Sequence, residues 1–357
     1  MAVVINGTTG IDKVQDGSIG TADIAADAIT TPKIADTVNL GRRNMIINGA
    51  MQVAQRATSK TNVGPNGTGE GYTVLDRFQI SLSGDQVSTF SQSTDAPSGF
   101  SNSAKIEVTT ADTSLAATQF WHLRYGFEGQ DLQRIAKGTS DAKEITISFY
   151  VKSNKTGVYT VGLADVDNDR QNALSYTINS SNTWERKSLT FNPDTTGAFT
   201  NDNNMSLRLN FALLGGPNLK NGTFFNGTWG GDIDANVVHP NQVNLADTVG
   251  NTWQVTGVQM EVGDTATDFE HRSYGEELVL CQRYYERTGT IYTMDYGGSH
   301  SLFPHVYNVV KRAVPTVTLT GFESGTVSGT GNIYSNYVYR ANNQAANSGE
   351  AFYEAEL

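Results

Sequence analysis

Glu144-Ile145-Thr146-Ile147-Ser148-Phe149-Tyr150-Val151-Lys152 decides the fold class of this chain. Ile145, Ile147, Phe149 and Val151 occupy every second position, the period of a half-buried strand, and so share one face. Stretches of the same kind lie on both sides: Phe78 to Leu82, Ala104 to Val108, Phe120 to Tyr125, Val158 to Leu163, Ala173 to Ile178, Glu185 to Phe191, Ser206 to Leu213 and Gln254 to Val262. Each carries β-branched or aromatic residues at alternate positions, with turn residues between. About ten short strands without long helical patterns among them predict an all-β domain of two stacked antiparallel sheets, and a jelly roll is the favoured sandwich.

Composition agrees. Charged residues make up only 17% of the 357, glycine reaches 36 copies and aromatics are plentiful, a balance typical of turn-rich β proteins. The formal charge of −11 predicts repulsion of nucleic acid and anionic membranes, and makes polyanions poor ligands. No run reaches the apolar length of a membrane span, and Met1 to Gly10 lacks a basic segment followed by an apolar one, so neither secretion nor anchoring is expected. The single cysteine, Cys281, excludes an intrachain disulfide and a cysteine-based zinc cluster.

Near the start, Val14, Ile19, Ile24, Ile29 and Ile34 recur every fifth residue. The repeat is also visible as a decapeptide, since Ile19, Thr21, Ile24 and Ala25 return as Ile29, Thr31, Ile34 and Ala35. One apolar residue in five is too few for a self-sufficient core and fits neither helix nor strand period. Such a stripe is buried against copies of itself, so residues 11–36 read as a stalk packed on the same segment of other chains. A low-complexity disordered arm is the alternative.

At the other end, Glu276 to Arg287 has helix formers, acids in the first turn and arginines later. Leu278, Cys281 and Tyr285 fall on one face of that helix, which makes Cys281 a packed small hydrophobe rather than a reactive thiol. Strands are expected beyond it at Val306 to Val310, Pro315 to Thr320, Ile333 to Arg340 and Ala351 to Tyr353.

Two sequence blocks carry a resemblance. Asn44-Met45-Ile46-Ile47-Asn48-Gly49-Ala50-Met51-Gln52-Val53-Ala54-Gln55-Arg56 resembles the lead-in segment of certain bacteriophage tail fibre proteins. Trp253 to Tyr285 resembles them more closely, through Thr256 to Gly263, Phe269-Glu270-His271-Arg272, Tyr274 to Leu278 and Cys281-Gln282-Arg283-Tyr284-Tyr285. In that family the pattern closes a carbohydrate-binding-module-like jelly roll, and the ladder is similar to trimeric fibre shafts. Ala57 stands where the family often has glycine, and Leu75 interrupts the usual approach of valine to Asp76-Arg77-Phe78. The resemblance implies four segments: 1–40 for virion attachment and the trimeric stalk, 41–75 as a linker or lead-in, 76–272 as the jelly roll, and 273–357 as a helix and β-rich tip. It further implies a homotrimer in the virion that joins phage tail or baseplate proteins through residues 1–40 and attaches to host surface glycan. A head or neck fibre, a tail adaptor, or a glycan depolymerase tailspike are the alternatives.

Chemistry is expected to be binding rather than catalysis. No carboxylate pair stands out by spacing among Asp131, Asp232, Asp234, Asp264, Asp268 and Glu270, and neither a serine-hydrolase elbow nor a phosphate loop is present. Asp165-Val166-Asp167-Asn168-Asp169 has alternating oxygen ligands but lacks the turn glycine and distal glutamate of a calcium loop, and reads as a hairpin turn. His122, His239, His271, His300 and His305 show no metal-like clustering beyond His300 and His305, and no cofactor is expected. Sugar rings stack on aromatic faces while their hydroxyls pair with amides and carboxylates. Residues 215–234 fit, with Phe224, Phe225, Asn226, Trp229 and Asp232 as glycan-binding candidates; the alternative for Trp229 is a cap on the sandwich or a subunit contact. Trp121, Trp184 and Trp253 are expected in the core. In the tip, Tyr292, Tyr296, Tyr334, Tyr337 and Tyr339 are dense enough for a receptor surface, with a trimeric core as the alternative.

Overall fold

The computed structural model describes residues 42–64, 68–289, 291–292, 294–295, 300–320, 327–328, 332–341 and 348–357. The chain divides into Met1–Gly41 and Arg42–Leu357, and all described residues belong to the second unit. The ladder residues Val14, Ile19, Ile24, Ile29 and Ile34 lie outside the described residues.

Twelve strands build the sandwich. In chain order they are β1 (Ser59–Val63), β2 (Phe78–Leu82), β3 (Val87–Ser93), β4 (Ser103–Thr110), β5 (Phe120–Glu128), β6 (Ile145–Ser153), β7 (Gly157–Asp165), β8 (Arg170–Ile178), β9 (Glu185–Phe191), β10 (Met205–Gly215), β11 (Gly230–Gly231) and β12 (Thr252–Val262). One sheet runs β1-β3-β4-β12-β6-β9 and the other β11-β8-β7-β10-β5-β2, all neighbours antiparallel. Sequence neighbours β5 and β6 lie in different sheets, the crossing connectivity of a jelly roll.

The alternating residues of β6 point between the sheets. Ile147, Phe149 and Val151 are wholly buried, and the Phe149 ring meets Phe211 and Tyr176 of the facing sheet edge-on, each at 5.1 Å. Trp121 and Trp253 are wholly buried, and Trp253 Nε1 donates to the Tyr176 hydroxyl at 3.1 Å. Trp184 differs from expectation. It is half-buried on the surface, donating to Asp95 at 3.2 Å with Lys152 Nζ 5.5 Å from its ring, because Glu185 to Phe191 begins only after it.

The second face of β6 is buried at its start, at Thr146 and Ser148, and half-buried at Tyr150 and Lys152. Thr146 donates to Gly263 O at 2.7 Å, and residues 263–272 form a strap over this face. The strap is tied down by buried Glu261, which accepts from the Thr267 amide at 2.9 Å and its hydroxyl at 2.8 Å. Three strands of the sandwich escaped the sequence pattern. Residues 41–75, read as a linker or lead-in, contain the exposed edge strand β1, β3 offers only Phe90 as a large inward residue, and β11 is two glycines.

Residues 42–75 take part in the core rather than merely leading to it: Ile46, Met51, Val53, Val63, Val74 and Leu75 are all wholly buried. Asn48 holds their turn, its Oδ1 accepting from the Val53 amide at 2.9 Å and its Nδ2 donating to Val53 and Asp76 carbonyls. A Cβ on Gly49 would stand 2.1 Å from Val258 O, so only glycine permits this approach to β12.

The helix α1 (Tyr274–Gln282) is shorter than expected and ends before its arginines. Ser273 and Glu276 form a reciprocal capping box at its start. Arg283 instead holds the buried Glu128 through two bonds of 2.8 and 2.7 Å, and the chain passes into β13 (Tyr285–Arg287). Cys281 is wholly buried, and burial pushes its thiol well above the usual range. The remaining strands are β14 (Ile291–Tyr292), β15 (Met294–Asp295), β16 (His300–Val306), β17 (Thr316–Thr320), β18 (Val327–Ser328), β19 (Ser335–Ala341) and β20 (Ser348–Glu354). Together with β13 they form two four-stranded sheets; the strand expected at Val306 to Val310 instead lies upstream, ending at Val306. The chain end returns to the sandwich, where Glu356 pairs with Arg77 at 2.6 Å and Arg56 at 3.3 Å.

Candidate functional site

A cleft of about 420 Å³ lies on the outer face of the β11-β8-β7-β10-β5-β2 sheet. Its floor consists of the outward residues that alternate with the core: Phe120, His122 and Arg124 on β5, Arg208, Asn210 and Ala212 on β10, Thr160, Gly162 and Ala164 on β7, and Gln171 on β8. Register sets Asn210 opposite both Arg124 and Gly162, and Ala212 opposite His122 and Thr160. Leu219, Asp234 and Val237, from the long connection after β10, form one wall. At this size, with amides, cations and a ring together, the cleft suits a small number of sugar units.

The floor is pre-organised. Arg124 donates through Nε to Asn210 Oδ1 at 3.1 Å, through Nη1 to the Ser81 hydroxyl at 2.6 Å and through Nη2 to His122 Nδ1 at 3.3 Å. A guanidinium only donates, so Nδ1 is the unprotonated ring nitrogen. Burial, with Arg124 and Arg208 alongside, holds His122 well below its ordinary range and therefore neutral. Burial and Arg208 likewise bring Arg124 down to about 10, against a smaller upward pull from Glu70. Phe120 stacks on His122 with centroids 5.2 Å apart and planes at 26°, and Arg124 lies 5.2 Å from the Phe120 ring.

The residues singled out in 215–234 stand around this cleft rather than in its lining. Asp232 accepts from Gln171 Nε2, which joins it to the rim. Phe224 meets His239 edge-on at 5.1 Å, and Asn226 takes the left-handed turn at φ 48°. The Phe225 ring packs where a Cβ on Gly230 would lie, 2.5 Å away. Trp229 is half-buried against the core, donates to Asn192 O at 2.9 Å and lies 5.3 Å from Lys137 Nζ. Lys137 in turn holds Asp165 at 2.5 Å and Asp194 at 3.1 Å, so the Asp165 carboxylate in the β7–β8 hairpin already has a cation, an ammonium.

Tyr334 is exposed at the foot of β19, while Tyr337 and Tyr339 lie on β19 opposite Pro304 and Leu302 of β16. Tyr292 lies on β14, and Tyr296 is outside the described residues. His305 stacks on Tyr353 at 4.9 Å and sits 3.0 Å from Glu286. Among the described residues no three His, Cys, Asp or Glu gather as a metal site. The sequence reading missed Phe120, His122, Arg124, Arg208 and Asn210. The outward positions of the strands it identified, Phe120-x-His122-x-Arg124 and Arg208-x-Asn210, are the signal that would have found them.

The two blocks that carry the family resemblance meet each other, not the cleft. Asn44 Oδ1 accepts from the Ile46 and Met260 amides at 2.9 and 3.1 Å, and Glu270 Oε2 accepts from the Arg43 and Asn44 amides at 2.6 Å each. Arg272 donates to Ile46 O at 3.0 Å, and Glu277 accepts from the Asn48 amide at 2.5 Å. The blocks are a structural lock.

No known protein family and no curated protein matches the chain. Among solved structures, it is similar to the enzymatically active domain of tailspike protein 4 of bacteriophage CBA120, at 14% identity and TM-score 0.33, over 61% of this chain and 21% of that one. It is also similar to the family 11 carbohydrate-binding module of the cellulase Lic26A-Cel5E of Clostridium thermocellum, at 12% identity and TM-score 0.29, over 61% and 99%. A third is TmCBM61 in complex with β-1,4-galactotriose, at 6% identity and TM-score 0.29, over 62% and 99%. The chain thus spans about a fifth of the tailspike domain's length. Its assignment as a jelly roll rests on the strand order and register given above.

Proposed function

We propose that this chain is a structural, non-enzymatic protein of a bacteriophage virion, a trimeric tail fibre that attaches to the host surface through glycan. The observation that carries glycan binding is the polar cleft, where oriented amide and guanidinium groups lie beside the Phe120 ring. The isoleucine ladder and the two tail-fibre-like blocks support the virion assignment, with residues 1–40 joining the tail or baseplate. Asp234 is the one carboxylate in the lining, whereas hydrolysis by paired carboxylates needs two, which supports binding over cleavage. Weak single sites would be multiplied by threefold display.

Gly162 supplies the test. It stands on the cleft floor, and the nearest atom to an added Cβ is Asn172 O at 3.8 Å, so a side chain can start there and Gly162→Trp puts a ring into the cleft. The purified protein is expected to compete with virions for host cells and to release no reducing sugar from their surface glycan. Gly162→Trp should melt at the same temperature and compete at least tenfold less well; full competition by the variant overturns the assignment of the cleft.

A further inference from the structure

Two cations lie in the cleft without a salt-bridged carboxylate, Asp232 pulling on Arg208 only from beyond ion-pair distance. Arg124 is held wholly by neutral acceptors, Asn210, Ser81 and His122. Arg208 stands diagonal to it, on the strand that places Asn210 opposite Arg124. Its Nε is shut off from solvent with no hydrogen-bond acceptor, and among the described residues it forms no ion pair. Buried donors are almost always satisfied, and this Nε is left open on a side chain that is otherwise half-buried in the cleft. The acids nearby are at the edge: Asp234 on the wall, Asp232 bound to Gln171, and Glu70, whose Oε1 accepts from the Leu82 amide. None comes within ion-pair distance of either arginine.

We infer that the ligand of this cleft is an acidic glycan whose carboxylate is taken by Arg208, with Arg124 as the second, pre-oriented cation. The inference rests on the glycan reading above and narrows its substrate class. A planar guanidinium matches a carboxylate with two parallel bonds, and neutral Asn210, Gln171 and Thr160 remain for hydroxyls, with Phe120 for a ring face. The overall charge of −11 argues against polyanions only at long range. Salt screens that field within about 10 Å, while contacts inside a cleft are screened far less.

The test is direct binding of the full-length protein to immobilised polysaccharides. The carboxylated set is alginate, hyaluronan, polygalacturonate and polysialic acid; dextran, galactan and mannan are neutral, and phosphomannan carries phosphate. Binding is expected only within the carboxylated set, falling at least tenfold when the carboxylates are reduced to alcohols. Arg208→Gln should lose at least tenfold on the same glycan at an unchanged melting temperature, with Arg208→Lys recovering part of it. Binding confined to neutral members or to phosphomannan, or binding that survives carboxyl reduction, overturns the inference. Silence on every glycan overturns it too. In that case, loss of host-cell competition in Gly162→Trp leaves the glycan reading standing, and intact competition removes both.

Discussion

Asp76 illustrates how single residues here serve closure of the fold. Its carboxylate is buried, accepts from the Gln55 amide at 3.0 Å and from Gln55 Nε2, and has Arg56 3.8 Å away. The adjacent Arg77 is buried between the rings of Tyr284 and Tyr125, at 3.5 and 5.0 Å, and pairs with Glu356. Burial raises Asp76 to about 6 from 3.8, the Arg56 and Gln55 contacts offsetting only part of it. The folded state therefore holds a proton that the unfolded state has released. That contribution is fully present below pH 3.8 and is lost as pH rises through 6. Between pH 7.5 and 4.5 the wild type should gain about 2 kcal/mol relative to Asp76→Asn in urea unfolding. A difference that does not change with pH would show that Asp76 ionises normally. The residue before it, Leu75, marks a departure from the family spacing, yet it is wholly buried, so the extra residue is absorbed by the core.

At the scale of elements, strands whose alternate residues fill the space between the sheets were legible, because one face must be apolar to be buried there. Residues 78–82 and 185–191 match their expected bounds. β1 was not legible, since an edge strand paired on one side is held by backbone bonds and needs few apolar side chains, and β3, though paired on both sides, turns only Phe90 inward as a large residue. The helix was legible by its helix formers and the acids of its first turn, but its end was set by the Arg283–Glu128 pair, a partner 155 residues distant. Even the resembling blocks have a physical reading only as a pair, in which 44–56 is docked by 256–277. Gly49→Ala tests that docking, because its Cβ would meet Val258 O at 2.1 Å. The variant should lose about 2–4 kcal/mol, as expected when backbone must shift in a packed core. Unaltered thermal melting would mean that the lead-in turn does not need this approach.

At the scale of the whole molecule, the cleft was illegible for a topological reason. Its floor joins β5, β10, β7 and β8, whose adjacency follows from the sheet order, so residues as distant as Phe120 and Arg208 become neighbours only once that order is known. The ladder poses the opposite case, a pattern plain in sequence whose partner, in the trimer proposed above, comes from sister chains. The described residues of 42–357 enclose a core in which Trp121, Trp253 and Phe149 are wholly buried. One isoleucine in five buries too little apolar surface to order residues 11–36 alone, whereas three copies around an axis can shelter the stripe from water. Light scattering of the purified protein should therefore give three times the chain mass. Ile24→Asp with Ile29→Asp should reduce it to a single chain, because three like charges at each rung would face one another, while the melting temperature of the sandwich stays unchanged. A wild-type monomer would remove the trimer, a double variant that remains trimeric would place the subunit contacts elsewhere, and either would leave the fivefold spacing without its proposed cause.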